Sequence, residues 1–180
     1  MNSPSGKVKS IYKRGADDGL WLGLYFCAMF ALSVCSLSVP AVNAVVAVMA
    51  LGVPFLTYFF LRRTHVAAHG LTQFSALWMQ GIVMFACGCL IFGFAGIVYL
   101  RWIDPGFMQR VLQMGVDFYR SSDNEAAQIM ADEFQKVIDT KSVPSAADVV
   151  LGWMWLGMFS GSMLSMLEAG LVRIRKVPVR

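Results

Sequence analysis

Glu168 is the one carboxylate set well inside an apolar stretch of this chain. A carboxylate in that setting can carry a proton or hold a cation. Arg173 follows closely, so the expected role is a structural ion pair with Arg62, Arg63 or a C-terminal cation. Thr57 and Gln80 are the other notable polar groups within apolar stretches, and each can hydrogen-bond along or across helices. His65 and His69 stand at i, i+4 and would share one helical face, but two imidazoles without nearby Cys, Asp or Glu make a weak metal site. The reading preferred there is a polar turn. Cys87-x-Cys89 has the wrong spacing for a zinc knuckle and no second ligand pair beside it. Cys27, Cys35, Cys87 and Cys89 all fall in apolar stretches, where cysteine behaves as a small hydrophobe, so no disulfide framework is expected. Asp104 beside Arg101 reads as an interfacial cap and charge pair. Neither G-x-S-x-G nor H-E-x-x-H is present. The sequence therefore designates no catalytic, cofactor-binding or metal-binding residue, and a non-enzymatic protein is expected.

The elements that position these groups are apolar runs centred on residues 24–39, 45–61, 74–100 and 149–172. With 57% apolar residues, 14% charged residues and a mean hydropathy of +0.60, the chain lies outside the soluble globular range. A hydrocarbon core roughly 30 Å thick takes about 20 apolar residues as helix. A backbone facing lipid must satisfy its own hydrogen bonds, so each run becomes a helix. The expected fold is an all-α membrane protein, a four-helix bundle with spans at about 19–38, 44–61, 74–102 and 146–172. A cytoplasmic arm over residues 1–18 precedes this transmembrane domain of residues 19–180. Pro40 ends the first helix, the first two form a tight hairpin, and Pro54 predicts a kink in the second. The long third helix ends at Tyr99 and Trp102, which with Trp153 and Trp155 suit an interfacial aromatic belt.

Residues 103–145 predict two short amphipathic extracytoplasmic helices between the third and fourth spans. Asp104-Pro105 starts the first, and Phe107, Val111, Met114 and Phe118 recur at helical spacing. Ser122-Asp123-Asn124-Glu125 reads as a capping box for the second, whose stripe is Ile129, Met130, Phe134, Val137 and Ile138. Ser145 and Asp148 have capping-box spacing before the fourth span. The pair is expected to fold back over the membrane face or bundle mouth.

Charge sets the orientation. Lys7, Lys9, Lys13, Arg14, Arg62, Arg63, Arg173, Arg175, Lys176 and Arg180, ten of the fifteen basic residues, share one side of a four-pass chain. The other side has five among eight acids. The positive-inside rule predicts that both termini are cytoplasmic. Basic clusters placed this way are topology signals, so no nucleic-acid partner is expected. Val42-Asn43-Ala44 resembles a signal-peptide cleavage site, but the preceding apolar stretch is long for one, and an uncleaved first helix is the reading adopted.

Small residues recur every four positions: Gly19, Gly23, Cys27, Ala31 and Cys35 in the first span, and Gly157, Gly161, Ser165 and Ala169 in the fourth. Such faces let backbones approach closely in lipid. Packing within one chain is preferred, with a homo-oligomer or another membrane protein as the alternative partner beside the lipid bilayer. Gly81, Gly88, Gly93 and Gly96 in the third span give no single clean seam.

The run Gly19-Leu20-Trp21-Leu22-Gly23-Leu24, the segment Tyr99-Leu100-Arg101-Trp102-Ile103-Asp104-Pro105 and the last helix ending in Arg173-Ile174-Arg175-Lys176 resemble the bacterial integral-membrane family called domain of unknown function 4199. The resemblance covers nearly the whole chain. It implies a four-helix inner-membrane protein and transfers no catalytic residue. Two functions compete on this reading: a non-enzymatic structural or interaction component of a membrane assembly, and a small transporter or channel with Glu168, Gln80 and Thr57 along a polar route.

Overall fold

The computed structural model describes residues 10–37, 39, 41–122, 124–140 and 144–174. These form α1 (Ile11–Ser36), α2 (Val42–Ala67), α3 (Phe74–Val98), a π-helical turn (Tyr99–Ile103), α4 (Phe107–Arg120), α5 (Glu125–Asp139) and α6 (Ala146–Ile174), with no strand among them. Four helical segments are long and apolar enough to cross a membrane: α1, α2, α3 with its π turn, and α6. The expected stop at Pro40, the cap residue Asp123, and the charges Lys7, Lys9, Arg175, Lys176 and Arg180 lie outside the described residues.

Two helices are longer than their apolar runs. α1 starts at Ile11 rather than residue 19, because Ser10 caps it, its Oγ accepting from the Lys13 amide at 3.4 Å. Much of the expected arm is thus its first two turns. α2 continues past residue 61 to Ala67, so Arg62, Arg63 and His65 are helical rather than part of a turn. It ends in a Schellman motif: the Gly70 amide reaches the His65 carbonyl and the His69 amide reaches Val66, both at 3.0 Å. His69 takes the left-handed position, with φ 51°.

The chain divides into two compact units, Met1–Phe92 with Met154–Arg180, and Gly93–Trp153. In the first, α3 is the helix on which the others pack. It is apolar on all sides and the most buried of the four long helices, as a central helix must be. Against it α1 lays Gly15, Gly19 and Gly23. A Cβ at Gly19 would stand 2.7 Å from the Met84 carbonyl, and one at Gly23 2.9 Å from Ile91. The α1 seam therefore begins one step before the expected ladder, at Gly15, while Cys35 at its far end is exposed. From the opposite direction α6 sets Gly157 against Cys89, Gly161 against the Phe85 ring and Ser165 against Gly81. The numbers on α6 fall as those on α3 rise, so these helices are antiparallel. Leu22, Phe60, Met84 and Phe85 form one core cluster, and Leu61, Leu77, Ala169 and Val172 a second. Pro54 lies inside α2, whose helical run is unbroken. Nearby, Tyr25 Oη donates to the Met49 carbonyl at 2.7 Å, and Gly52 leaves room for that hydroxyl.

In the second unit, α4 and α5 close on each other where Phe134 meets Gly115 and the Tyr119 ring, the two rings 5.7 Å apart, and Val116 and Ala131 are both fully buried. Asn124, not Ser122, caps α5, its side chain accepting from the Ala126 amide at 3.1 Å. Asp104 does not cap α4. It pairs with Arg110 rather than Arg101 and accepts from Tyr99 Oη at 3.4 Å. α6 opens on the reciprocal box expected for it: the Ser145 amide donates to Asp148 Oδ2, and the Asp148 amide donates to Ser145 Oγ, both at 3.2 Å.

Candidate functional site

The polar side chains that sequence singled out fall into two hydrogen-bonded groups inside the first unit. Glu168 of α6 is only 4% exposed. Its Oε1 accepts from Thr57 Oγ1 of α2 at 2.8 Å, and its Oε2 has no hydrogen-bond partner among the described residues. Among the described residues the partner of Glu168 is a hydroxyl rather than Arg62, Arg63 or Arg173, and the C-terminal cations Arg175, Lys176 and Arg180 lie outside them. The carboxylate points into the protein between α2 and α6, whereas snorkelling to an arginine would require it to turn outward. Thr57 Oγ1 also lies 3.1 Å from the Val53 carbonyl and 3.0 Å from the Pro54 carbonyl, two alternative acceptors for its single proton. The Thr57 hydroxyl can therefore donate to Glu168, or accept from a protonated Glu168 while donating to its own helix.

Gln80 of α3 joins the other helices and has no solvent exposure. Its Nε2 donates to Asp18 Oδ2 of α1 at 3.0 Å and to Thr64 Oγ1 of α2 at 2.9 Å, while Oε1 is unpartnered. Gln80 is thus not joined to Glu168 and Thr57 as a single line. Thr64 follows Thr57 by seven residues on α2, roughly two helical turns. Between them this one helix connects α1 and α3 on one hand with α6 on the other. Asp18 and Thr64 also line a hollow of about 500 Å³, together with Arg14, Asp17 and Arg63.

Asp18, Thr64 and Gly15 escaped the sequence reading for one reason: each belongs to a helix extension hidden by polar neighbours. The signal was periodic. Gly15 continues the Gly19–Gly23 spacing by one step, Asp18 adjoins it on the same face, and Thr64 continues the Thr57 stripe. The two histidines separate. His65 is buried in α2 with Nδ1 unpartnered, whereas His69 lies beyond the helix in the left-handed turn, so they do not share a helical face. Among the described residues no cluster of three or more His, Cys, Asp or Glu side chains could hold a metal ion.

Helix content and length define the class: an all-α protein with four helices fit by length and composition to cross a membrane. A family model described as "Protein of unknown function (DUF4199)" matches residues 18–173, and the chain belongs to that family. Curated proteins and solved structures offer no match.

Proposed function

We infer that this chain is a multi-pass bacterial inner-membrane protein with both termini cytoplasmic, and that it is a non-enzymatic structural or interaction component of a membrane assembly. The observation that carries the interaction role is the face left open on the α4–α5 pair. Val111, Met114 and Phe118 recur along α4 at helical spacing and are exposed, while Val116 is fully buried. On α5, Ile129 and Met130 are exposed likewise. Such a stripe on a pair of amphipathic extracytoplasmic helices suits the membrane face or an apolar partner surface. The small-residue seams leave any partner contact to other faces, because Gly15, Gly19, Gly23, Gly157 and Gly161 are spent on packing inside the chain. Photo-crosslinkers at Val111 and Phe118, set against one at the polar position Asp132, test it in native membranes. Crosslinks to lipid or to one defined protein from the apolar positions are expected, and equal silence at all three positions would remove the role.

A transport reading is favoured by one specific observation, the unpartnered Oε2 of Glu168 inside an apolar helix. A buried carboxylate with one free oxygen and a switchable hydroxyl beside it has the parts of a proton relay. Proteoliposomes holding the wild type should acidify or alkalinise under a proton gradient faster than those holding Glu168→Gln if this reading holds. Identical traces, matching protein-free vesicles, exclude it.

A further inference from the structure

The hollow beside Asp18 carries charge of both signs against an apolar edge. Its volume, about 500 Å³, is that of a small-ligand site. α1 supplies Arg14, Asp17 and Asp18, α2 supplies Arg63, and Leu20 and Trp21 continue the wall along α1. Gln80 holds Asp18 at 3.0 Å, so the Asp18 carboxylate is tethered to α3. Gln80 is in turn fixed by Thr64, which also lines the hollow. Thr64, 6% exposed, is the buried part of this wall, and Gln80 behind it is fully buried, while Asp17, Arg63, Leu20 and Trp21 are exposed.

A ligand of a single charge would meet like charge among the residues lining this hollow. A ligand carrying a phosphodiester and an ammonium a few bonds apart finds opposite charge there for each group. Guanidinium forks match phosphate oxygens, and a primary ammonium has three donors to offer Asp18 and its neighbours. Trp21 adds an aromatic face suited to a cation and to the water–lipid boundary. Leu20 and Trp21 are 50% and 64% exposed, and the apolar part of α1 runs on from them. We propose that this hollow binds the headgroup of a zwitterionic phospholipid bearing a primary ammonium, with the acyl chains continuing along the Leu20–Trp21 edge of α1. The proposal rests on α1 and α2 spanning the membrane.

Native mass spectrometry of the full chain, delipidated in detergent and titrated with phosphatidylethanolamine, phosphatidylcholine and phosphatidylglycerol, tests the assignment. Phosphatidylethanolamine should be retained about tenfold better than either competitor, the scale of one charge-assisted hydrogen bond. Asp18→Asn keeps an oxygen for Gln80 and should erase the preference over phosphatidylcholine. Arg14→Gln with Arg63→Gln should lower retention of all three lipids at least about fivefold, while the melting temperature of each variant reports its fold. Equal retention of the three lipids by the wild type overturns the proposal, as does unchanged selectivity in the variants. Displacement of the lipid by an equimolar amount of free O-phosphoethanolamine would make the ligand a soluble metabolite and overturn the lipid assignment. Carbonate washing of membranes separates the two levels: protein released by the wash refutes the spanning reading, whereas protein retained without lipid selectivity refutes only the site.

Discussion

At the scale of single residues, burial decides the meaning of Glu168. The Thr57 hydroxyl is its one hydrogen-bond partner among the described residues, and removing one member of a buried polar pair costs more than removing both. Thr57→Val is expected to destabilise the protein by about 1–3 kcal/mol, while Thr57→Ser, which keeps the donor, should lie near the wild type. The double variant Thr57→Val with Glu168→Leu should recover much of the loss. Unfolding in mixed micelles with increasing SDS reads these three and Glu168→Leu alone, and a double effect equal to the sum of the two single effects would show that the pair is not coupled. His69 offers a second residue-scale measurement. A non-glycine residue at φ 51° is strained by crowding at its Cβ. His69→Gly should stabilise the protein by about 0.5–1 kcal/mol after the added flexibility of the unfolded chain is counted. An unchanged or lower unfolding midpoint would contradict that account. Composition and position alone made Glu168, Thr57 and Gln80 visible as polar groups in apolar surroundings. Their partners were not visible, because a one-dimensional stripe does not fix how each helix is rotated about its axis. That rotation turned the carboxylate from the arginines toward Thr57.

At the scale of elements, glycine on α6 has two different roles that a substitution can separate. Gly161 lies against the Phe85 ring, itself 4% exposed, whereas Gly152 has nothing within 4 Å of the position a Cβ would take. Gly161→Ala should therefore cost about 1–3 kcal/mol through overpacking. Gly152→Ala should be neutral or stabilise by up to about 1 kcal/mol through helix propensity. The same micellar unfolding, with helicity followed by circular dichroism, separates them; equal shifts would mean that the α3–α6 seam is not tightly packed. Both small-residue ladders were legible from their four-residue spacing, and each meets α3 through part of its length. The helix ends were less legible. Lys13, Arg14, Asp17 and Asp18 have the composition of a solvated arm, yet Gly15 packs there on Gln80 and Val83. Ser10 also caps the backbone. Hydropathy detects what a helix presents to lipid and is blind to a polar turn docked on another helix. The capping boxes show the same limit from another side. Ser145–Asp148 forms the reciprocal geometry its spacing predicts, but at the start of α5 the nearer Asn124 takes the cap.

At the scale of the whole molecule, the orientation proposed for the chain rests on the placement of charge rather than on its total of +4. Short loops rich in Lys and Arg resist translocation, whereas acids have little effect, so the counting is of basic residues alone. α2 ends at Ala67 and α3 starts at Phe74, and the Arg62–Arg63 pair adjoins this short connection. α4 and α5 instead lie in a long connection between apolar helices that has more acids than bases. Alkaline phosphatase fused after Ser121 is accordingly expected to be active, and fusions after Gly70 or Arg180 inactive, with fluorescent-protein fusions giving the inverse pattern. The junction belongs after Gly70 because the Schellman turn completes α2 there; a junction at Thr64 would cut away the last turn of the helix along with His65. Replacing Arg62 and Arg63 by Gln should weaken retention of that loop without moving the four apolar helices, and a mixed reporter signal after Gly70 is the expected result. If the wild-type fusion after Gly70 is fully active as phosphatase and the one after Ser121 is not, the orientation is inverted. The Arg14–Asp18–Arg63 hollow would then face the opposite leaflet.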